Sequence, residues 1–121
     1  MARYVDGFVI PIPKKNIAIY RQIASAAGKI WKEHGALEYL ECAADDLKVK
    51  GGLTSFRKLA GAKPSETVFF SWIVYASKAD RNRVNKKVMA DPRISAMMEG
   101  KKMPFDMKRM AYGGFKAVVD L

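Results

Sequence analysis

The chain has 121 residues, 50% of them hydrophobic, a length and composition that suit one domain (residues 1–121) with one core. No apolar run approaches the ~20 residues needed to cross a bilayer, and a single cysteine, Cys42, excludes an internal disulfide. The formal net charge of +10 admits nucleic acid, anionic metabolites or acidic proteins as partners, but the basic residues are spread along the chain and read equally well as solubilising charge.

Residues 3–11, rich in β-branched and aromatic types, predict a strand that ends at Pro11. Val5 and Val9 fall on one face, and Tyr4, Phe8 and Ile10 on the other. A strand apolar on both sides is covered on both sides. The segment is too short and strand-like for a secretory signal and lacks a small-residue cleavage site, so a cytoplasmic protein is expected. Pro13 suits the first turn of a helix. Ile17, Tyr20, Ile23, Ala24, Ala27, Ile30 and Trp31 then recur at three- and four-residue steps, the pattern of an amphipathic helix of about six turns. Gly35 stops it. Gly28 inside it costs about 1 kcal/mol relative to alanine and marks a close approach to the sheet.

Residues 37–43 predict a second strand, and 45–65 a long Gly-rich loop with one helical turn near Phe56–Leu59. The most strand-like segment is 67–76, with Val68, Phe70 and Trp72 on one face and Phe69, Ile73 and Tyr75 on the other. Ser77 caps a following helix, with Asp80 at its third position. Arg81, Val84, Asn85 and Val88 share one face of that helix. Pro92 ends it, and a short helical piece runs through Met98. Residues 100–106 read as a loop. Residues 108–121 read as a closing strand, in which Gly113 and Gly114 signal a bulge or a close backbone contact.

The order β-α-β-β-α-β predicts a ferredoxin-like sandwich of the α+β class, an antiparallel four-stranded sheet with two helices on one face. Two helices cover only one face. The other is apolar too, so a second copy of the chain is expected to cover it, giving a homodimer.

Several segments together, "YVDGFVIPIPKKN", "WKEHGALEYLEC", "FSWIVY", "VNKKVMADPR" and "MPFDMKRMAYGGFK", resemble the YbaA-like family of small bacterial proteins, a family of unknown function. The resemblance runs over nearly the whole chain and is weakest at 45–65. It implies a dimeric α+β barrel in which two ferredoxin-like sheets face each other. It brings no catalytic residues.

Candidate chemistry rests on few residues. His34, the only histidine, falls on the apolar face of the first helix in its last turn, where capping or packing is its ordinary role. The predicted topology also brings Asp6, which interrupts an apolar strand, to the same end of the sheet. An Asp6–His34 hydrogen bond would orient the imidazole as a general base. Tyr4, Glu38, Trp72, Arg109 and Tyr112 are the candidate lining of a pocket inside the barrel, apolar with a few polar groups. Glu38 and Glu41 fall on opposite faces of the second strand, which reads equally as a charged edge strand. Cys42 reads as a small hydrophobe. No metal-ligand spacing occurs, and a lone histidine gives no support for haem, so no cofactor or metal is expected. "AYGGFKAVV" matches the RNA-recognition signature only loosely and on the wrong strand. The expected function is therefore binding of an unidentified organic molecule, with an anion as one candidate. Cofactor-free proton transfer or small-molecule oxidation is the expected chemistry if the chain is an enzyme. The competing classes are a basic RNA-binding protein and a structural interaction protein with a filled interior.

Overall fold

The computed structural model describes residues 2–99 and 103–121. Strand β1 (Tyr4–Pro13) leads through a 3-10 turn (Lys14–Asn16) into helix α1 (Ile17–His34). Strand β2 (Glu38–Ala43), helix α2 (Phe56–Ala60), strand β3 (Glu66–Tyr75), helices α3 (Lys78–Met89) and α4 (Pro92–Met98), a second 3-10 turn (Met107–Arg109) and strand β4 (Ala111–Lys116) follow. The four strands form one antiparallel sheet in the order β2-β3-β1-β4. This is the predicted ferredoxin-like α+β fold.

Local chemistry explains most boundaries. The Ser77 side chain accepts from the Asp80 N–H at 3.1 Å and starts α3 as its pattern foretells. Asp91 caps α4 in the same way, accepting from the Arg93 N–H at 2.9 Å with Pro92 at the first helical position. Several expectations shift. Pro13 is the last residue of β1, not in the first turn of α1, which starts at Ile17 after the 3-10 turn. Strand β1 runs past Pro11 to Pro13, because β4 pairs it only as far as Val9; beyond that β1 has β3 alone as neighbour, and a missing N–H is tolerated there. Strand β4 is shorter than 108–121. Its tail turns away, tied by Ala117 N–H to Arg3 O at 3.0 Å and by an Arg3–Asp120 pair. Gly113 and Gly114 form no bulge, since the register passes through them unbroken. Gly114 instead makes the close contact: a Cβ there would lie 2.7 Å from the Tyr4 ring. The predicted loop at 100–106 lies partly outside the described residues.

Asp6, Ile73 and Tyr39 stand abreast across three strands, as do Gly7, Trp72 and Leu40, and the two sets point to opposite faces. The helices α1, α3 and α4 cover the first face. Two core clusters sit there, one of Tyr4, Ile73, Tyr75, Val84 and Val88, the other of Ile10, Ile12, Tyr20, Ala24 and Phe69. Phe8 packs against both. The opposite face carries Phe70, Leu40 and Phe115 at 41%, 39% and 62% exposure. Part of it is shielded by α2, where Phe56 meets Phe70 edge-on with centroids 5.6 Å apart.

Candidate functional site

Between the sheet and its helices lies a cavity of about 450 Å³. Phe8, Ile10 and Ile73 floor it, and Ile23, Ala27 and Trp31 of α1 wall it. Met89, Met97, Met98, Met103, Met107 and Met110, six of the chain's seven methionines, close the remaining side. Methionine is flexible and polarisable, so such a wall adapts to the shape of what it contacts. The charged groups among its described lining residues are two carboxylates, Asp6 and Glu41.

Asp6 is 1% exposed. Its Oδ1 accepts from Arg81 Nη1 at 3.3 Å, and the same Nη1 donates to the Tyr112 hydroxyl at 2.9 Å. The Arg81 guanidinium also lies over the Tyr4 ring, 4.9 Å from its centroid. Nearby, the Tyr75 hydroxyl donates to Asn85 Oδ1 at 3.1 Å, and Trp31 Nε1 donates to the Tyr75 oxygen at 3.2 Å. Burial pushes the Asp6 carboxyl up from its ordinary range, against the pull of Arg81.

Glu41 lies on β2 two residues from the level of Asp6, across the intervening β3. Its Oε1 accepts from the Tyr20 hydroxyl at 2.7 Å and from the Ser71 hydroxyl, and its Oε2 from the Tyr39 hydroxyl at 2.9 Å. Burial, and then the Glu41 charge, push both phenols up, so they remain protonated donors. Gly28 permits this arrangement, because a Cβ there would come within 2.6 Å of the Tyr39 ring. The close approach inferred from the sequence is the seat of that ring. Tyr20, Tyr39 and Glu41 also border a wider open groove along the α1–β2 edge, which carries Arg21, Lys29 and Lys32.

The sequence-predicted residues divide. Asp6 and Tyr112 line the cavity, and Tyr4 lies beneath Arg81. The Asp6–His34 hydrogen bond is not made. His34 Nε2 lies 2.8 Å from Asp91 Oδ2 and ties the end of α1 to the start of α4, while Asp6 turns to Arg81. Glu38 points to the opposite face, exposed and 3.9 Å from Arg3; its neighbour three residues on, Glu41, occupies the cavity instead. Trp72 is on the uncovered face, away from Tyr112. Arg109 grips Glu66 with two contacts, 2.7 and 2.9 Å, at the start of β3. The pocket therefore lies on the helix-covered side of the sheet, not between facing sheets. Arg81, Tyr20, Tyr39 and Ser71 sit in apolar, helical and strand patterns that carry no chemical signature, and Gly28 is the one sequence signal that points toward Tyr39.

The sequence profile of a family described as a protein of unknown function, DUF1428, matches residues 3–107. The chain belongs to this family. It is 46% identical over 118 residues to the uncharacterized protein YbaA of Escherichia coli K12, covering 98% of each chain, and equally to YbaA of Shigella flexneri. The resemblance to YbaA-like proteins is thus membership. A dimeric ferredoxin-like protein from an uncultured marine organism superposes over 100% of both chains with a TM-score of 0.62 at 8% identity. A NIPSNAP family protein of unknown function from Agrobacterium tumefaciens C58 matches 96% of this chain and 88% of its own with a TM-score of 0.58 at 14% identity. These two likenesses show the fold alone.

Proposed function

We propose that the chain is a cytoplasmic homodimer that binds a small organic molecule in the cavity between sheet and helices, with Asp6 as the group that exchanges a proton with it. The observation that carries this reading is a carboxylate 1% exposed in the wall of a largely apolar cavity. Such a group is costly unless a partner or ligand repays it, and a carboxyl held above its ordinary range is suited to acid–base work. Local charge also revises the expected ligand. The net charge admitted an anion, but the described lining groups that carry charge are both acidic, which favours a molecule bearing hydrogen-bond donors or positive charge.

The dimer is supported by the uncovered face. Leu40, Phe70, Trp72 and Phe115 share it, and its outward strand positions on β1 to β4 hold no Lys or Arg. An RNA platform needs aromatic rings beside cations that meet phosphate, so this face suits a twin better than a nucleic acid. No described helix is long and apolar enough to cross a membrane.

Native mass spectrometry of the purified protein tests both parts. A dimer is expected, with added mass on each subunit from a retained molecule, or with uptake of apolar probes that Asp6→Asn alters. Phe70→Lys is expected to weaken the dimer about a hundredfold, ~3 kcal/mol, as for a central aromatic anchor. A bare monomer at micromolar concentration that takes up no probe would remove the proposal.

A further inference from the structure

The two acidic groups of the cavity are not equivalent. Asp6 has Arg81 beside it. Glu41 has three neutral hydroxyl donors and, among the described residues, no Lys, Arg or His within 4.0 Å. Its negative charge is held in place without being neutralised. Around it the cavity is aromatic. Tyr20, Trp31, Tyr39 and Phe105 all line it, with Tyr20 and Phe105 centroids 5.6 Å apart and Trp31 and Tyr39 centroids 6.2 Å apart. A fixed carboxylate among ring faces is the chemistry that recognises an alkylammonium group, through a charge-assisted hydrogen bond and cation–π attraction. The methionine wall then receives an apolar body.

We propose that the Glu41 end of the cavity, with Tyr20, Tyr39 and Ser71 fixing the carboxylate, is a recognition site for the ammonium group of an amphiphilic organic amine. This rests on the reading of the cavity as a ligand site. The cations of the outer groove, Arg21, Lys29 and Lys32, are exposed and therefore screened by solvent, whereas the carboxylate borders the interior.

Three probes of one shape test it: 1-naphthylmethylamine, 1-naphthalenemethanol and 1-naphthoate, titrated calorimetrically into the wild-type protein at fixed pH and salt. The amine is expected to bind at least tenfold tighter than the alcohol and the carboxylate. Glu41→Gln should bring the amine to the level of the alcohol and leave the alcohol unchanged, while Asp6→Asn keeps the preference. If the alcohol binds but the amine is no tighter, or if the preference survives Glu41→Gln, the amine site is overturned and the cavity reading stands. If none of the three binds, both fall. Should Glu41→Gln fail to fold, loss of the preference in Asp6→Asn would overturn the assignment to Glu41, and its retention there would support it.

Discussion

Two buried carboxylate–arginine pairs in this molecule behave in opposite ways. Glu66 receives two contacts from Arg109, at 2.7 and 2.9 Å, and the Lys63 N–H at 2.8 Å. These, the Arg109 hydrogen bonds first, pull its carboxyl down to about 2. Asp6 has one contact of 3.3 Å from Arg81, whose Nε–H is buried with no acceptor among the described residues, and burial pushes its carboxyl up. Bidentate geometry repays desolvation and a single long contact does not. The first pair is built to hold the start of β3 against the 3-10 turn before β4. The second leaves a buried carboxylate incompletely compensated in the wall of a largely apolar cavity.

The comparison can be broken most directly at the carboxylates themselves. Glu66→Gln is expected to cost about 3 kcal/mol in denaturant unfolding, because Arg109 keeps its place with no counter-charge. Asp6→Asn should cost less than that: it too leaves an arginine without its counter-charge, but it removes a carboxylate whose burial is poorly compensated, and Arg81 retains the Tyr112 hydroxyl and the Tyr4 ring. Equal losses would dissolve the distinction.

Acid titration of the same variants sharpens it, because the signs differ. Glu66 is depressed in the folded state, so its contribution is complete above the ordinary value of 4.5 and is lost as pH falls toward about 2. The stability gap between wild type and Glu66→Gln should therefore shrink in that window. Asp6 is raised, so its penalty is absent below its ordinary value of 3.8 and grows as pH rises through its folded value. Relative to Asp6→Asn, wild type should gain stability as pH falls from neutral. A gap that moves the same way in both series would contradict the assigned causes.

Smaller effects come from the cations. Arg109→Lys forfeits the two-pronged grip on Glu66 and is expected to lower stability, as is Arg81→Lys, which keeps a charge beside Asp6 but loses the planar guanidinium over the Tyr4 ring. Smallest is Tyr112→Phe. Removing one half-exposed hydroxyl from Arg81 is expected to cost about 0.5–1 kcal/mol in unfolding and to leave the acid response of Glu66 unchanged.

Much of the fold was legible. The apolar steps from Ile17 to Trp31, the Ser77 cap, the turn near Phe56 and the alternation in 67–76 each follow from local rules, and each appears where those rules put it. The site was legible only in part. Asp6 stands out because a carboxylate in an apolar strand demands a partner, and the predicted topology offers His34 at the same end of the sheet. Arg81 fills that place instead; its spacing sets it on one helical face with Val84, Asn85 and Val88, but nothing in that pattern pairs it with Asp6. Strand alternation sets Glu38 and Glu41 on opposite faces of β2, as the register shows. Choosing between them required knowing which face holds the cavity.

The sequence by itself determined the order of elements, the two apolar faces of the sheet, the close approach at Gly28 and the unusual position of Asp6. These are consequences of periods of two and 3.6 residues and of the cost of burying charge, which act within a few neighbours along the chain. Only the tertiary structure decided that Asp6 meets Arg81, 75 positions away, that Arg109 serves Glu66 and that three hydroxyls converge on Glu41. Those pairings depend on strand register and on how α1 and α3 settle on one face, and a hydrogen bond is made or lost over distances far smaller than one residue step.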